Sequence, residues 1–427
     1  MKKIVFAFAA SCLFMMCFSQ KIDKIINAAE VGKIEKKLSA DAMAGRQTFS
    51  PEIDNAASLI AKEFKKNKLQ FFGNSYFQEF SMIKTTPLQS VLILNNDTVA
   101  ANKYFAYSSA ANLNYTATEG FDIVRIGKGD NYSKTIQSVI GAKKNTLVLI
   151  DTSYAERFKR LTGFLSGARF ASPVEIIFIV TTVTNPTGFK LAATNEILEQ
   201  PLKNVVGILP GNSDTKKNEY VIFSGHYDHL GIGELNAEQD SIYNGANDDA
   251  AGTTAVMMLS RYFSKIKNNE RSIIFVAFTA EEIGGFGSQY FSRQLSPDSV
   301  VALFNIEMIG TESKWGTNSA YITGYEKSDM GKILQRNLTG SPFHFEPDPY
   351  PEQNLFYRSD NATLAALGVP AHTISTSKMD NEKFYHTQDD EIETLDMKNM
   401  AEIIKAIALC SQSIISGKDT PTRVKKD

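Results

Sequence analysis

A handful of residues in this 427-residue chain could do chemistry together: His226 with Asp228, Asp248 with Asp249, Glu281 with Glu282, and the single residues Glu307 and His386. A histidine can bind a metal through one ring nitrogen while a carboxylate two residues on accepts from the other, fixing tautomer and orientation. Of two adjacent acids, one can ligate while its neighbour works as a base. Amide hydrolysis needs that division: a divalent metal polarises the carbonyl and acidifies water, and a free carboxylate carries the proton. Each group alone has a plainer reading. His226 and Asp228 would make a surface pair, Asn247-Asp248-Asp249 is turn chemistry by composition, and paired acids at a helix start complement its dipole. Convergence separates the readings. Such groups gathered at strand ends would hold two divalent metals.

The elements that must position them follow from periodicity. After Leu202-Lys203-Asn204, apolar runs at 205–209, 220–224, 272–279, 301–306 and 371–375 alternate with helical patterns at 253–266 and 396–415. This predicts an α/β three-layer sandwich, a mainly parallel mixed sheet flanked by helices. In such sheets ligands collect at the carboxyl ends of the strands, where His226, Glu281, Glu282 and Glu307 fall. Upstream, Ser50-Pro51-Glu52 is a helix start, and Ile53, Ala57, Ile60 and Phe64 then repeat at helical spacing. Asp396 is the expected N-cap of the last long helix, whose apolar face carries Cys410.

Between them the texture changes. Residues 87–199 hold short β-rich runs (90–94, 121–126, 146–150, 176–182), one helical stretch at 157–171 and not one of the five histidines. They read as an inserted β-rich domain. The expected organisation is thus a signal peptide at 1–19, a catalytic domain from 20–86 and 200–417, the insert at 87–199 and a disordered polar tail at 418–427.

Composition narrows the partners. Lys+Arg of 45 against Asp+Glu of 47 leaves a net charge of −2 and no basic block, which argues against nucleic acid. The start, Met1-Lys2-Lys3 followed by an apolar run to Phe18, is a signal-peptide pattern too short for a transmembrane segment, so the mature chain is expected to be exported, periplasmic or secreted. Cleavage is expected before Gln20. The rival is lipidation at Cys17, but Phe14-Met15-Met16 lacks the small residue that precedes such a cysteine. Cys12 and Cys17 leave with the signal and Cys410 remains alone, so no disulfide is expected. Sequons stand at Asn96, Asn114, Asn131, Asn337 and Asn361. Nothing in the sequence reports oligomeric state.

The runs Ser224-Gly225-His226-Tyr227-Asp228-His229-Leu230-Gly231, Asn244-Gly245-Ala246-Asn247-Asp248-Asp249-Ala250-Ala251-Gly252 and Thr279-Ala280-Glu281-Glu282-Ile283-Gly284, with Gly287-Ser288, resemble the co-catalytic zinc aminopeptidases of the bacterial leucyl aminopeptidase type. Glutamate carboxypeptidase II and the glutaminyl cyclases are distant relatives. The motifs run across 204–396, and 36–80 resembles the N-terminal part of such enzymes. The insert faintly resembles a protease-associated domain.

The resemblance implies two zinc ions per chain. It implies His226 as ligand of the first metal with Asp228 as its orienting partner, Asp248 as bridge, Glu281 as general base, and Glu282 and His386 as ligands of the second. The family's third carboxylate lies in a pattern ending Asp-Met. This chain has Asn305-Ile306-Glu307-Met308, so Glu307 keeps the charge with one more methylene. Tyr385 stands where some relatives place an oxyanion-stabilising tyrosine, with packing under the loop as the alternative. His229 does not fit a family ligand and is read as structural or supporting; His372 reads as a core histidine, His344 as solvent-facing and Asp360 as an N-cap. The implied activity is removal of N-terminal residues from peptides. The alternatives are a carboxypeptidase or dipeptidase, for which Arg358 would anchor an anionic substrate group, a glutaminyl cyclase, and a non-catalytic binding module that would have lost ligands.

Overall fold

The computed structural model describes residues 22–426, so the signal-peptide and Cys17 expectations lie outside the described residues. The chain forms two units, Met1–Glu79 with Leu202–Asp427, and Phe80–Pro201.

In the first unit the sheet takes the end of Phe189–Leu209 (β1), then Tyr220–His226 (β2), Ser272–Phe278 (β3), Val300–Ile306 (β4), Ser319–Ile322 (β5), His344–Pro347 (β6) and Ala371–Ser375 (β7). Their order is β6-β5-β7-β4-β2-β3-β1. β3, β2, β4 and β7 run parallel, while β1 and β5 join antiparallel. Every residue of β3, β4 and β7 is buried, which is why β3 and β4 read as nearly continuous apolar runs rather than as alternation, while β7 buries His372, Thr373 and Ser375 as well.

Successive residues of each strand serve opposite layers. Val221, Phe223, Phe275 and Phe304 pack with residues of the helices Ala28–Leu38, Ile53–Lys66, Ala251–Ile266 and Met397–Cys410. Ile222, Ile274, Val276 and Leu303 pack on the other side with Phe291 and Leu364 of Phe286–Ser292 and Asn361–Ala366. This is the expected three-layer sandwich. Asp396 caps as read, accepting from the N–H groups of Lys398 and Asn399; Ser50 Oγ accepts from the Ile53 N–H (3.3 Å), but the helix begins at Ile53 with Glu52 at the cap position, two residues later than read. Among the described residues no helix is long and apolar enough to cross a membrane.

The second unit departs from expectation. Its four-stranded sheet runs Tyr104–Tyr107, Ile176–Val180, Thr146–Ile150, Asp122–Ile126, the last three mutually parallel. Parallel neighbours need crossover connections, and two helices supply them: Ala155–Leu165, anticipated at 157–171, and Tyr132–Gly141, which was not anticipated. The Asn131 side chain caps the latter by accepting from Lys134 N–H (3.1 Å). The insert is therefore a small α/β unit rather than simply β-rich.

The polar tail also needs correction. The Arg423 guanidinium donates to the carbonyls of Val300 (2.7 Å) and Pro297 (2.9 Å), and Thr422 N–H donates to Asp329 (2.6 Å). Val424 is buried among Val300, Leu364 and Val369. One buried apolar residue after two polar anchors docks this segment, and no periodicity displays it.

Candidate metal centre

β2 ends at His226, and the loop beyond it carries Asp228. The ring Nδ1 of His226 lies 3.1 Å from the carbonyl of Asp228 and 3.8 Å from its carboxylate. The main-chain oxygen is thus the nearer partner that orients the ring. The Asp228 carboxylate instead accepts from Thr48 Oγ1 (2.9 Å) and from the N–H groups of Glu281 (3.1 Å) and Glu282 (3.3 Å). It fixes the turn that follows β3, and with it both acids.

The next loop carries Asp248. The Asp248 N–H donates to Asp390 (3.0 Å), and so does that of Asn247 (2.8 Å). Asp390 sits four residues beyond His386, so one carboxylate ties the Asp248 loop to the loop of the last histidine. Asp249 faces the opposite way. Its oxygens accept from the N–H groups of His226 (3.1 Å), Gly252 (3.0 Å) and Met308 (3.0 Å), joining the ends of β2 and β4 to the start of Ala251–Ile266. Gly252 is required there, because a Cβ would collide with the Ile306 carbonyl and the Asp249 carboxylate.

Both histidines converge on Asp248. His226 Nε2 is 3.2 Å from Asp248 Oδ1; His386 Nε2 is 3.2 Å from Oδ2 and 3.3 Å from Glu282 Oε2. Neither Nε2 has a hydrogen-bond partner. Ligand atoms of His226, Asp248 and Glu307 lie within 4.8 Å of one another, as do those of His229, Asp248 and Glu282. The extra methylene of Glu307 therefore still brings its carboxylate to the first cluster. The family-derived ligands are gathered in one place.

The electrostatics point the same way. Burial would raise Asp248, yet the two facing histidines hold it below the usual carboxylate range. Burial would lower His226, yet Asp248, Glu281 and Asp249 raise it instead. Asp248 and Glu282 push His386 up to about 10. Burial raises Glu281 well above its ordinary value, and raises Glu307 as well. A buried set of acids this dense demands cations, protons or metal ions.

The residues fit metal better than protons. Two ligands of a tetrahedral zinc-like ion, with bonds near 2.0–2.2 Å, stand roughly 3.3 Å apart. The His226–Asp248, His386–Asp248 and His386–Glu282 separations match that edge. Imidazole and carboxylate with no sulfur form a donor set suited to a divalent hydrolytic ion.

Tyr385 stacks on the His386 ring (centroids 3.9 Å apart, 21° between planes) and lines a cavity of about 80 Å³ with Asp248, Glu281, Glu307 and Arg358. Asp360 is not a side-chain cap. It makes no capping bond, both its oxygens are buried without a partner, and burial lifts it to about 7. Ser288, the hydroxyl nearby, donates to the Gly285 carbonyl instead. His372 is a core residue and His344 is exposed, as read.

Arg46 was missed altogether. Fully buried, it donates to the carbonyls of Leu38 (2.7 Å), Tyr227 (2.9 Å), Asn244 (2.6 Å) and Gly245 (2.9 Å), locking the His226 and Asp248 loops to the N-terminal segment. Thr48 and Asp390 were missed with it, and Asp249 was named only as the acid beside Asp248. Their partners are remote in sequence, and no local pattern announces them.

Residues 204–410 match the model of "Peptidase family M28". Over this segment the chain is similar to that peptidase family. Aminopeptidase YwaD of Bacillus subtilis is 22% identical over 325 residues, 73% of this chain and 66% of its own length. A probable zinc metalloprotease of Pyricularia oryzae is 35% identical over 114 residues, 26% of this chain and 22% of its own. The chain thus spans just under two thirds of the first relative and under a quarter of the second. Among solved structures, the aminopeptidase of Aneurinibacillus sp. strain AM-1 superposes with a TM-score of 0.55 at 19% identity, covering 92% of this chain and 95% of that one. The B. subtilis zinc aminopeptidase BSAP gives 0.54 at 18%, covering 94% and 98%. At such identities these two likenesses speak to the fold. The M28 segment holds β2, β3, β4 and β7 and every family-derived ligand.

Proposed function

We propose that the protein is an exported zinc-dependent aminopeptidase, holding two zinc ions per chain and removing N-terminal residues from peptides. One observation carries this reading: the Nε2 atoms of His226 and His386, free of hydrogen bonds, each stand 3.2 Å from a different oxygen of Asp248. His226 and Glu307 would hold one ion, His386 and Glu282 the other, with Asp248 shared. Zinc so held polarises the scissile carbonyl and makes water a nucleophile at neutral pH.

Glu281 acts as the general base. Burial raises its proton affinity, the direction wanted of a carboxylate that takes a proton from water and returns it to the leaving amine. Asp228 grips the main chain of that residue and so aims it. Tyr385, at the cavity wall, donates to the developing oxyanion. The acids of the same wall suit a cationic α-amino group. The names of the relatives agree with an aminopeptidase, and the charged, apolar N-terminus supports export.

Replacing Glu281 by Gln is expected to lower kcat by about 10²–10⁴-fold with metal content unchanged; an active variant would remove Glu281 as the base. Arg358 in the cavity lining favours a carboxypeptidase or dipeptidase as the second reading. A panel of free and N-blocked peptides, with and without chelator, separates the two, because an aminopeptidase leaves blocked peptides intact.

A further inference from the structure

We propose that His229 is a positioning residue that makes Glu282 a one-oxygen ligand. The inference rests on the two-metal reading above and adds to it the part that neither the motifs nor the relatives assign.

His229 Nδ1 lies 2.7 Å from Glu282 Oε1, while Glu282 Oε2 stands 3.3 Å from His386 Nε2. The two oxygens therefore have different partners. A separation of 2.7 Å is short of the roughly 3.3 Å between two ligands of one tetrahedral ion. It is the length of a strong N–H···O⁻ bond. His229 so donates to Oε1 rather than sharing an ion with it, and only Oε2 is left to face the metal.

The ring is built to stay in place. Its side chain is buried, and its own N–H donates to the Arg46 carbonyl (3.1 Å). It packs edge-on to His386 with centroids 5.8 Å apart. Gly245, in the left-handed region at φ 55°, leaves the space the ring fills; a Cβ there would meet the imidazole and the Asp248 carbonyl. With the proton on Nδ1, Nε2 carries a lone pair and has no partner, which is the cost of using the ring for this one bond. Glu282 is then held at both ends, its N–H by Asp228 (3.3 Å) and its Oε1 by His229. A carboxylate held this way presents a single oxygen in a single direction, which is how an outer partner tunes a metal ligand.

The test is zinc titration of metal-free protein against a competing chelating dye, for wild type, His229→Asn, His229→Gln and His229→Leu. Asparagine places an amide nitrogen near the Nδ1 position, glutamine places one near Nε2, and leucine offers no donor. Wild type is expected to hold two ions. His229→Leu and His229→Gln should hold one with wild-type affinity and the other about 10–100-fold more weakly, and His229→Asn should recover most of the loss. Should the leucine variant fail to fold, the asparagine and glutamine variants decide between them. Two ions at unchanged affinity in His229→Gln or His229→Leu overturns the proposal, and so does equal weakening in all three variants, which would mean that the ring matters only as packing. A wild type that holds fewer than two ions sinks the two-metal reading and this inference with it.

Discussion

Two histidines buried in one sheet have opposite roles, and the difference lies in their second ring nitrogen. On β7, His372 has Nδ1 at 2.8 Å from the Thr323 carbonyl and Nε2 at 2.7 Å from Ser328 Oγ. Both nitrogens are satisfied, and burial pushes the ring down to about 4. At the end of β2, His226 spends Nδ1 on the Asp228 carbonyl, while its Nε2 has no hydrogen bond and faces Asp248 at 3.2 Å. Burial is common to both. In the two-metal reading proposed above, a buried nitrogen left without a partner and aimed at the Asp248 carboxylate is what separates His226 from the core residue His372.

The sharpest way to break that contrast is to replace each ring by glutamine. His226→Gln is expected to lose one tightly held ion and about 10³-fold or more in kcat/KM, several kcal/mol of transition-state stabilisation. His372→Gln should keep full metal content by elemental analysis. Equal metal loss in both would show that the free Nε2 does not discriminate.

A step down in size comes Asp249→Ala, which probes the scaffold rather than the ligands. It leaves the N–H groups of His226, Gly252 and Met308 without their acceptor. At about 1–3 kcal/mol for each buried donor, the loss on denaturant unfolding should be at least about 3 kcal/mol. A loss under 1 kcal/mol would mean that Asp249 is not the staple it looks like.

The smallest effect concerns pH and His372. Its folded pKa, about 4, lies below the roughly 6.5 of an unfolded histidine. The unfolded chain then binds more protons between those values, so the contribution of neutral His372 is complete above pH 6.5 and declines as pH falls toward 4. The decline amounts to at most about 3 kcal/mol. His372→Leu should flatten the stability profile in that window, and an unchanged slope would assign the acid sensitivity elsewhere.

Much of this was legible in the residues. Strand runs and helical spacing placed the sandwich, because a sheet buried on both faces favours apolar residues along its central strands. The motif order named the acids and histidines that converge. What stayed hidden depended on partners far away in sequence. Asp249 reads as a turn acid, and only the meeting of three main-chain ends makes it a staple. Arg46 carries no local signal, yet it spends its donors on four carbonyls and is fully buried. The helix Tyr132–Gly141 and the docking of Val424 were missed for the same reason: each is decided by what it packs against.

By itself, then, the sequence determined the class of fold, the strand ends that would carry chemistry and the set of acids and histidines that would meet there. These follow from local propensity, apolar periodicity and motif. Only the tertiary structure decided which oxygen each histidine faces, that Glu307 reaches the first cluster despite its longer side chain, and that His229 hydrogen-bonds Glu282 while His386 faces its other oxygen. Those outcomes turn on differences of a few tenths of an ångström in the separations of groups dozens to hundreds of residues apart. Spacing along a chain carries no such distances; packing sets them.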